Sequence, residues 1–140
     1  MNKKILVLDD KSEFRRLTKA ILSNKYDVES AENGLEALSI LQSGDIPDLI
    51  VSDLMMPVLG GEGFLEQMKK SGALRNIPII FLSSIDDIEQ RQKLMNMGAN
   101  DYLLKPYNPA ELLARIDAIF KSIDSKSISE SQKRWMNLKI

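Results

Sequence analysis

Short uninterrupted apolar runs alternate with amphipathic stretches along this 140-residue chain. Residues 5–8 (Ile-Leu-Val-Leu) are continuously apolar and stop at Asp9-Asp10. Residues 48–53 do the same, ending at Asp53 ahead of Leu54-Met55-Met56-Pro57. A run of this length that ends at a carboxylate and then a Pro- or Gly-containing loop predicts a strand buried on both faces, with an acid at its tip. Residues 26–31, 78–83 and Asp101–Leu104 complete five such strands. Between them the apolar period changes to that of a helix: residues 12–23 (Phe14, Leu17, Ile21, Leu22, with Ser12 as cap), a stretch after Asn33-Gly34 (Leu35, Ala37, Leu38, Leu41), a stretch after Gly60-Gly61 (Phe64, Leu65, Met68), residues 86–97 closed by Gly98, and residues 109–123 opened by Pro109.

Five strands alternating with five helices predict an α/β fold, a parallel sheet joined by right-handed crossovers. The flavodoxin-like, doubly wound order 2-1-3-4-5 is the natural arrangement of five such units. Residues 1–123 then make one domain. Residues 124–140 are Ser-rich, charged and weakly periodic, which predicts a linker or C-terminal tail carrying a small apolar cluster of Trp135, Met136, Leu138 and Ile140.

Composition narrows the chemistry. The chain has no histidine and no cysteine, which excludes histidine acid–base work, thiol catalysis, disulfides and His- or Cys-ligated metals. A formal net charge of −1 gives no electrostatic case for direct nucleic-acid binding or for an anionic membrane. No apolar stretch approaches the ~20 residues of a membrane span, and Asp9-Asp10 breaks the first apolar run too early for a signal peptide. The expectation is a cytoplasmic location.

In the order 2-1-3-4-5 the first and third strands are neighbours, and the ligand crevice of such a sheet lies at the carboxyl ends of its strands. Asp9 and Asp10 end the first strand, Asp53 the third and Ser83 the fourth, and Lys105 follows the fifth. Read singly, each has an ordinary explanation: a capping acid, a strand-end hydroxyl, a solvated lysine. Separate capping roles do not require five polar groups on one rim. Carboxylates so close repel unless a cation joins them. Mg²⁺, with Mn²⁺ as the alternative, suits oxygen ligands. Asp53 is placed as a nucleophile able to form an aspartyl-phosphate, with Lys105 and Ser83 to meet phosphoryl oxygens.

Leu8-Asp9-Asp10 with Arg15, Asp53-Leu54-Met55-Met56-Pro57, Phe81-Leu82-Ser83 and Gly98-Ala99-Asn100-Asp101-Tyr102-Leu103-Leu104-Lys105-Pro106 stand in one order and at characteristic spacing. In these the chain resembles the receiver domain of two-component response regulators, from residue 3 to residue 123. The resemblance implies that Asp53 is the phosphoacceptor, that Asp10, Asp53 and the Met55 carbonyl ligate the metal with Asp9 acting mainly through water, and that Ser83 and Lys105 contact the phosphoryl group. It implies a cis bond before Pro106, and Ser83 with Tyr102 as the switch pair. The partner it implies is a sensor histidine kinase or phosphotransfer protein, with an effector that the sequence does not name. Arg91, Asp101, Glu111 and Arg115 resemble the charges through which one subfamily pairs its receivers, a candidate homodimer face of the fourth helix, fifth strand and fifth helix. Gly60-Gly61 replaces the family's frequent Asp-Gly and is expected to loosen the loop after Asp53. Ser84 replaces a smaller residue beside the phosphate path.

Two other readings compete. A haloacid-dehalogenase-type phosphatase needs a second Asp two residues after its nucleophile, where this chain has Met55 after Asp53 and Lys11 after Asp9. A pseudo-receiver scaffold would lack an acid or the lysine, and this chain keeps all of them. The chain is expected to be either a stand-alone receiver or a piece of a larger regulator or hybrid kinase.

Overall fold

The structure, a computed structural model, describes the backbone of residues 2–138 and the side chains of residues 2–125. Its elements in chain order are β1 (Lys4–Leu8), α1 (Ser12–Leu22), β2 (Asp27–Ala31), α2 (Gly34–Gln42), β3 (Leu49–Asp53), α3 (Gly61–Lys70), β4 (Ile79–Ser83), α4 (Ile88–Asn96), β5 (Asp101–Leu104) and α5 (Pro109–Leu138). The five strands form one parallel sheet in the order β2-β1-β3-β4-β5, the doubly wound flavodoxin-like arrangement expected from the alternation. The chain divides into two compact units, Met1–Tyr107 with the sheet and α1–α4, and Asn108–Ile140 with α5.

The apolar runs are buried because both faces of the sheet are covered. Leu6, Leu8, Ile50, Ile79, Phe81 and Tyr102 belong to a cluster with Ala37 and Leu41 of α2, Phe64, Leu65 and Met68 of α3 and Leu94 of α4. Their alternates Ile5, Val7, Leu49, Val51, Ile80 and Leu82 are buried as well. Each such side chain contributes about 1.5–3 kcal/mol by leaving water. The register places Leu8 opposite Ser52 and Asp53 opposite Leu82, so β1, β3 and β4 finish level with one another.

Local chemistry sets the helix ends. Asn33 caps α2 by accepting the Glu36 N–H at 2.9 Å, and Asp87 caps α4 by accepting from Glu89 at 3.0 Å. After α4, the Gly98 N–H donates to Met95 O and the Ala99 N–H to Leu94 O. Gly98 has φ +108°, so the helix closes in a Schellman motif that favours glycine there.

Three expectations need correction. Ser12 is the first residue of α1 rather than its cap; Lys11 holds the cap position with no side-chain bond, and its N–H donates to Asp9 Oδ1 at 3.0 Å. The stripe read on α1 is only half right: Leu22 is buried and Ile21 half-buried, but Phe14 is 38% and Leu17 54% exposed, and Thr18, outside the stripe, is buried. The buried residues of α1 are Thr18 and Leu22, spaced i, i+4. Finally, α5 does not stop at residue 123 but runs to Leu138. Residues 110–138 contain neither Gly nor Pro, so no backbone signal ends the helix where its apolar pattern fades. The cluster of Trp135, Met136, Leu138 and Ile140 lies outside the residues whose side chains are described.

Candidate functional site

Because β1 and β3 are adjacent and level, their terminal acids meet. Asp9, Asp10 and Asp53 each offer a carboxylate oxygen, and these oxygens all lie within 4.8 Å of one another. Asp9 is buried, Asp53 half-buried and Asp10 exposed. The set is graded from core to solvent, with its open side at Asp10. Among the described residues this is the one group of three or more acids that could hold a metal ion. All-oxygen donors, one of them solvent-facing, fit a hard divalent cation that keeps several waters.

Lys105 reaches the same place from β5. Its backbone N–H donates to Ser83 O at 2.8 Å, which fixes the end of β5 against β4. Its Nζ stands 3.4 Å from Asp9 Oδ2 and 3.6 Å from Asp53 Oδ1. The Lys105–Pro106 peptide bond is cis. Burial pushes the Asp53 carboxyl above its ordinary value, and the charge of Asp9 adds to the push; Lys105 and the backbone N–H groups of Leu54 and Met55 oppose it. The Leu54 N–H donates to Asp53 Oδ1 at 2.8 Å.

The loop from β3 to α3 frames the opening. The Met55 side chain is 65% exposed. The Gly60-Gly61 pair does not leave this loop slack, because the Gly61 N–H donates to Leu54 O at 2.9 Å and the Gly34 N–H to Leu59 O at 2.9 Å. A Cβ on Gly61 would lie 2.7 Å from Phe81 Cε1 and 2.8 Å from Asp53 O, so glycine lets α3 start directly under the β3 tip. Between them Val58 has φ 70°, and Leu59 N–H donates to Pro57 O at 2.8 Å, a γ-turn of the strained positive-φ kind. Beside the acids opens a cleft of about 260 Å³ whose lining includes Leu54, Met55, Met56, Glu62, Ile85 and Gln90 and no basic residue.

Ser83 and Tyr102 are both buried, and both bond to Ile85. Ser83 Oγ accepts the Ile85 N–H at 3.0 Å, and the Tyr102 hydroxyl donates to Ile85 O at 2.7 Å. Arg91 lies over the Tyr102 ring at 5.9 Å, and Asp101 Oδ1 accepts the Tyr102 N–H at 2.8 Å. In the other unit Arg115 and Glu111 pair with each other along α5 at 3.4 Å. Of the candidate dimer charges, Arg91 and Asp101 thus stand in the first unit, Glu111 and Arg115 in the second.

Two participants escaped the sequence reading, Ile85 and the ring of Phe14, and a third, Arg15, entered it only as part of a motif. Ile85 ties the two switch candidates together through its main chain, which leaves no signature in residue type. Arg15 donates to Asp9 O at 2.7 Å and pairs with Glu32 at 3.6 Å, bracing the acidic turn. Phe14, read as an apolar helix position, lies under the Lys105 ammonium at 4.9 Å from its ring centroid.

Residues 5–117 match the response regulator receiver domain as a family. The probable transcriptional regulator ycf27 of Porphyridium aerugineum is 42% identical over 125 residues, which is 89% of this chain and 50% of that protein. The response regulator MprA of Mycobacterium bovis is 39% identical over 132 residues, 94% of this chain and 56% of that protein. The chain spans about half the length of the curated relatives it matches. Among solved structures, the receiver domain of the Francisella response regulator 1452 superposes with TM-score 0.80 at 33% identity, covering 87% of this chain and 99% of that one. The chemotaxis response regulator CheY4 of Vibrio cholerae superposes with TM-score 0.77 at 30% identity, covering 85% and 99%.

Proposed function

The chain belongs to the response regulator receiver domain family, and on that premise we propose that it is a phosphorylation-operated switch whose acceptor is Asp53. Its donor is a phosphohistidine of a partner kinase or phosphotransfer protein. An Asp53 carboxylate oxygen attacks phosphorus; the O–P bond forms as the donor N–P bond breaks, and the leaving imidazole takes up a proton. Such a transfer needs chiefly positioning and neutralisation of charge. Asp9, Asp10, Asp53 and the Met55 carbonyl would hold Mg²⁺ or Mn²⁺, which when bound screens the phosphoryl oxygens and the neighbouring carboxylates. Lys105, now shared between Asp9 and Asp53, is within reach of a phosphoryl oxygen on Asp53. Ser83, turning to that group, gives up the Ile85 N–H, and the segment whose carbonyl holds Tyr102 shifts with it. The phosphoryl group acts by binding one of two pre-existing arrangements better than the other.

The observation that carries this reading is the meeting of three carboxylates from two strands with one lysine from a third. The cleft beside it is lined by Leu54, Met55, Met56, Glu62, Ile85 and Gln90 among others. Among the described residues no helix is long and apolar enough to cross a membrane, and a cytoplasmic site of action belongs to the proposal. The ycf27 relatives are probable transcriptional regulators, which points to an output at transcription; with net charge −1, that output would run through a further domain or partner. The test is intact mass after incubation with acetyl phosphate and Mg²⁺. One added phosphoryl group is expected, absent in Asp53→Asn. Labelling that persists in that variant would move the acceptor elsewhere.

A further inference from the structure

Helix α1 meets the loop that carries Lys105 at two points one turn apart. The Phe14 ring centroid lies 4.9 Å from Lys105 Nζ. One turn on, Thr18 Oγ1 and the Tyr107 hydroxyl share a hydrogen bond of 3.1 Å. Thr18 is a buried polar residue of α1, only 4% exposed, so this bond is where its hydroxyl is satisfied. Phe14 and Thr18 are spaced i, i+4 and form one row of the helix, while Lys105 and Tyr107 flank the cis proline.

We infer that Phe14 and Thr18 are positioning residues for the phosphoryl-contacting lysine: Thr18 fixes the Lys105–Tyr107 loop against α1, and the face of Phe14 holds the ammonium at the rim. The inference rests on the reading of Asp53 as phosphoacceptor. The ammonium has three neighbours, namely Asp9, Asp53 and the ring. Asp53 changes its bonding when it takes up a phosphoryl group, and Asp9 belongs to the cation-holding set. The ring alone takes no part in the reaction, so it can hold the ammonium before, during and after transfer. An aromatic face attracts an ammonium without forming a competing salt bridge, which leaves the N–H donors available to oxygen. Lys11 Nζ lies at 5.5 Å from the same ring, farther than Lys105, and its position before α1 keeps it outside the lysine loop.

The experiment follows the rate of Asp53 phosphorylation by acetyl phosphate in the full chain, a donor that bypasses any kinase contact with α1. Phe14→Leu keeps an apolar side chain and removes the ring face; the rate should fall about two- to fivefold, the worth of a partly exposed cation–π contact, while the Mg²⁺ dissociation constant stays unchanged. Phe14→Trp should restore the rate. A series with one, two and three fluorines on the Phe14 ring, which drains the face at nearly constant shape, should lower the rate stepwise. Thr18→Val should slow the reaction in the same sense, and adding Tyr107→Phe should cost nothing more. Equal rates for wild type and Phe14→Leu, equal losses in the Leu and Trp variants, or a flat fluorine series would each overturn the inference. A wild type that takes no phosphoryl group at Asp53 would remove the parent reading and this one with it.

Discussion

Removing the Asp53 charge should make the metal-free protein more stable, although the substitution removes the proposed phosphoacceptor. Asn at this position is nearly isosteric and keeps an oxygen for the Leu54 N–H, which now bonds Asp53 Oδ1 at 2.8 Å. What changes is electrostatic. At an effective dielectric of about 20, Lys105 at 3.6 Å attracts Asp53 by roughly 4–5 kcal/mol. Asp9, within 4.8 Å, repels it by roughly 3.5 kcal/mol on the same scale. Asp10 is exposed, and its repulsion falls toward about 1 kcal/mol. The pairwise terms nearly cancel, which leaves the cost of withdrawing the carboxylate from water to decide the sign. The net effect is a carboxyl held above its ordinary value. Between the ordinary and the raised value the native state keeps a proton that the unfolded chain has lost, so stability falls as pH rises across that window. Asp53→Asn should therefore gain on the order of 1 kcal/mol at neutral pH, or about 3–5 °C in melting temperature for a domain of this size. The gain should vanish below pH 3.8, the ordinary value of the group, grow from there to the raised native value, and stay level above it. Thermal melts of both proteins in a chelator, repeated from pH 3 to 8, measure it. An Asn variant less stable than wild type at pH 7, or a gap that ignores pH, would refute the electrostatic account.

Other outcomes follow from the same geometry. Saturating Mg²⁺ at about 100 times its dissociation constant should stabilise the wild type by roughly 2.7 kcal/mol, reversibly on chelation; Asp10→Asn should need far more metal for the same shift in melting temperature, and an equal response would exclude Asp10 as a ligand. Val58→Asn should raise stability by about 1 kcal/mol in urea melts, because a β-branched residue at φ 70° is replaced by one that tolerates the left-handed region at a position already 76% exposed. Gly61→Ala should cost more than about 2 kcal/mol, since its methyl would overlap Phe81 and the Asp53 carbonyl; an Ala variant as stable as wild type would mean that the start of α3 is free to retreat from the β3 tip.

How much of this could be read in the sequence differs from element to element. β3 and β4 were legible because a parallel strand buried on both faces shows up as an unbroken apolar run, and both stop within a residue of where the run does. Asp9, Asp53 and Lys105 are 44 and 52 residues apart in turn, so their meeting was legible only through the strand order, which places their strand ends on one rim. Helix α1 was not legible in the same way. Periodicity finds an apolar stripe but cannot say which side meets the sheet. The buried position 18 holds a threonine whose hydroxyl finds a partner at Tyr107, and the exposed Phe14 meets an ammonium. The true cap of α1 was hidden too, because the Lys11 N–H goes to Asp9. Main-chain partnerships such as those of Ile85 have no residue-type signature at all.

The two bonds to Ile85 use its peptide groups and not its side chain. Sequence drift at this position can therefore vary the lining of the neighbouring cleft without uncoupling the serine at the end of β4 from the tyrosine in β5. Proline is the exception: it has no N–H to give, and would cut the serine tether while leaving the tyrosine's acceptor in place. One backbone residue thus joins the serine at the end of β4 to the tyrosine of β5 through two hydrogen bonds.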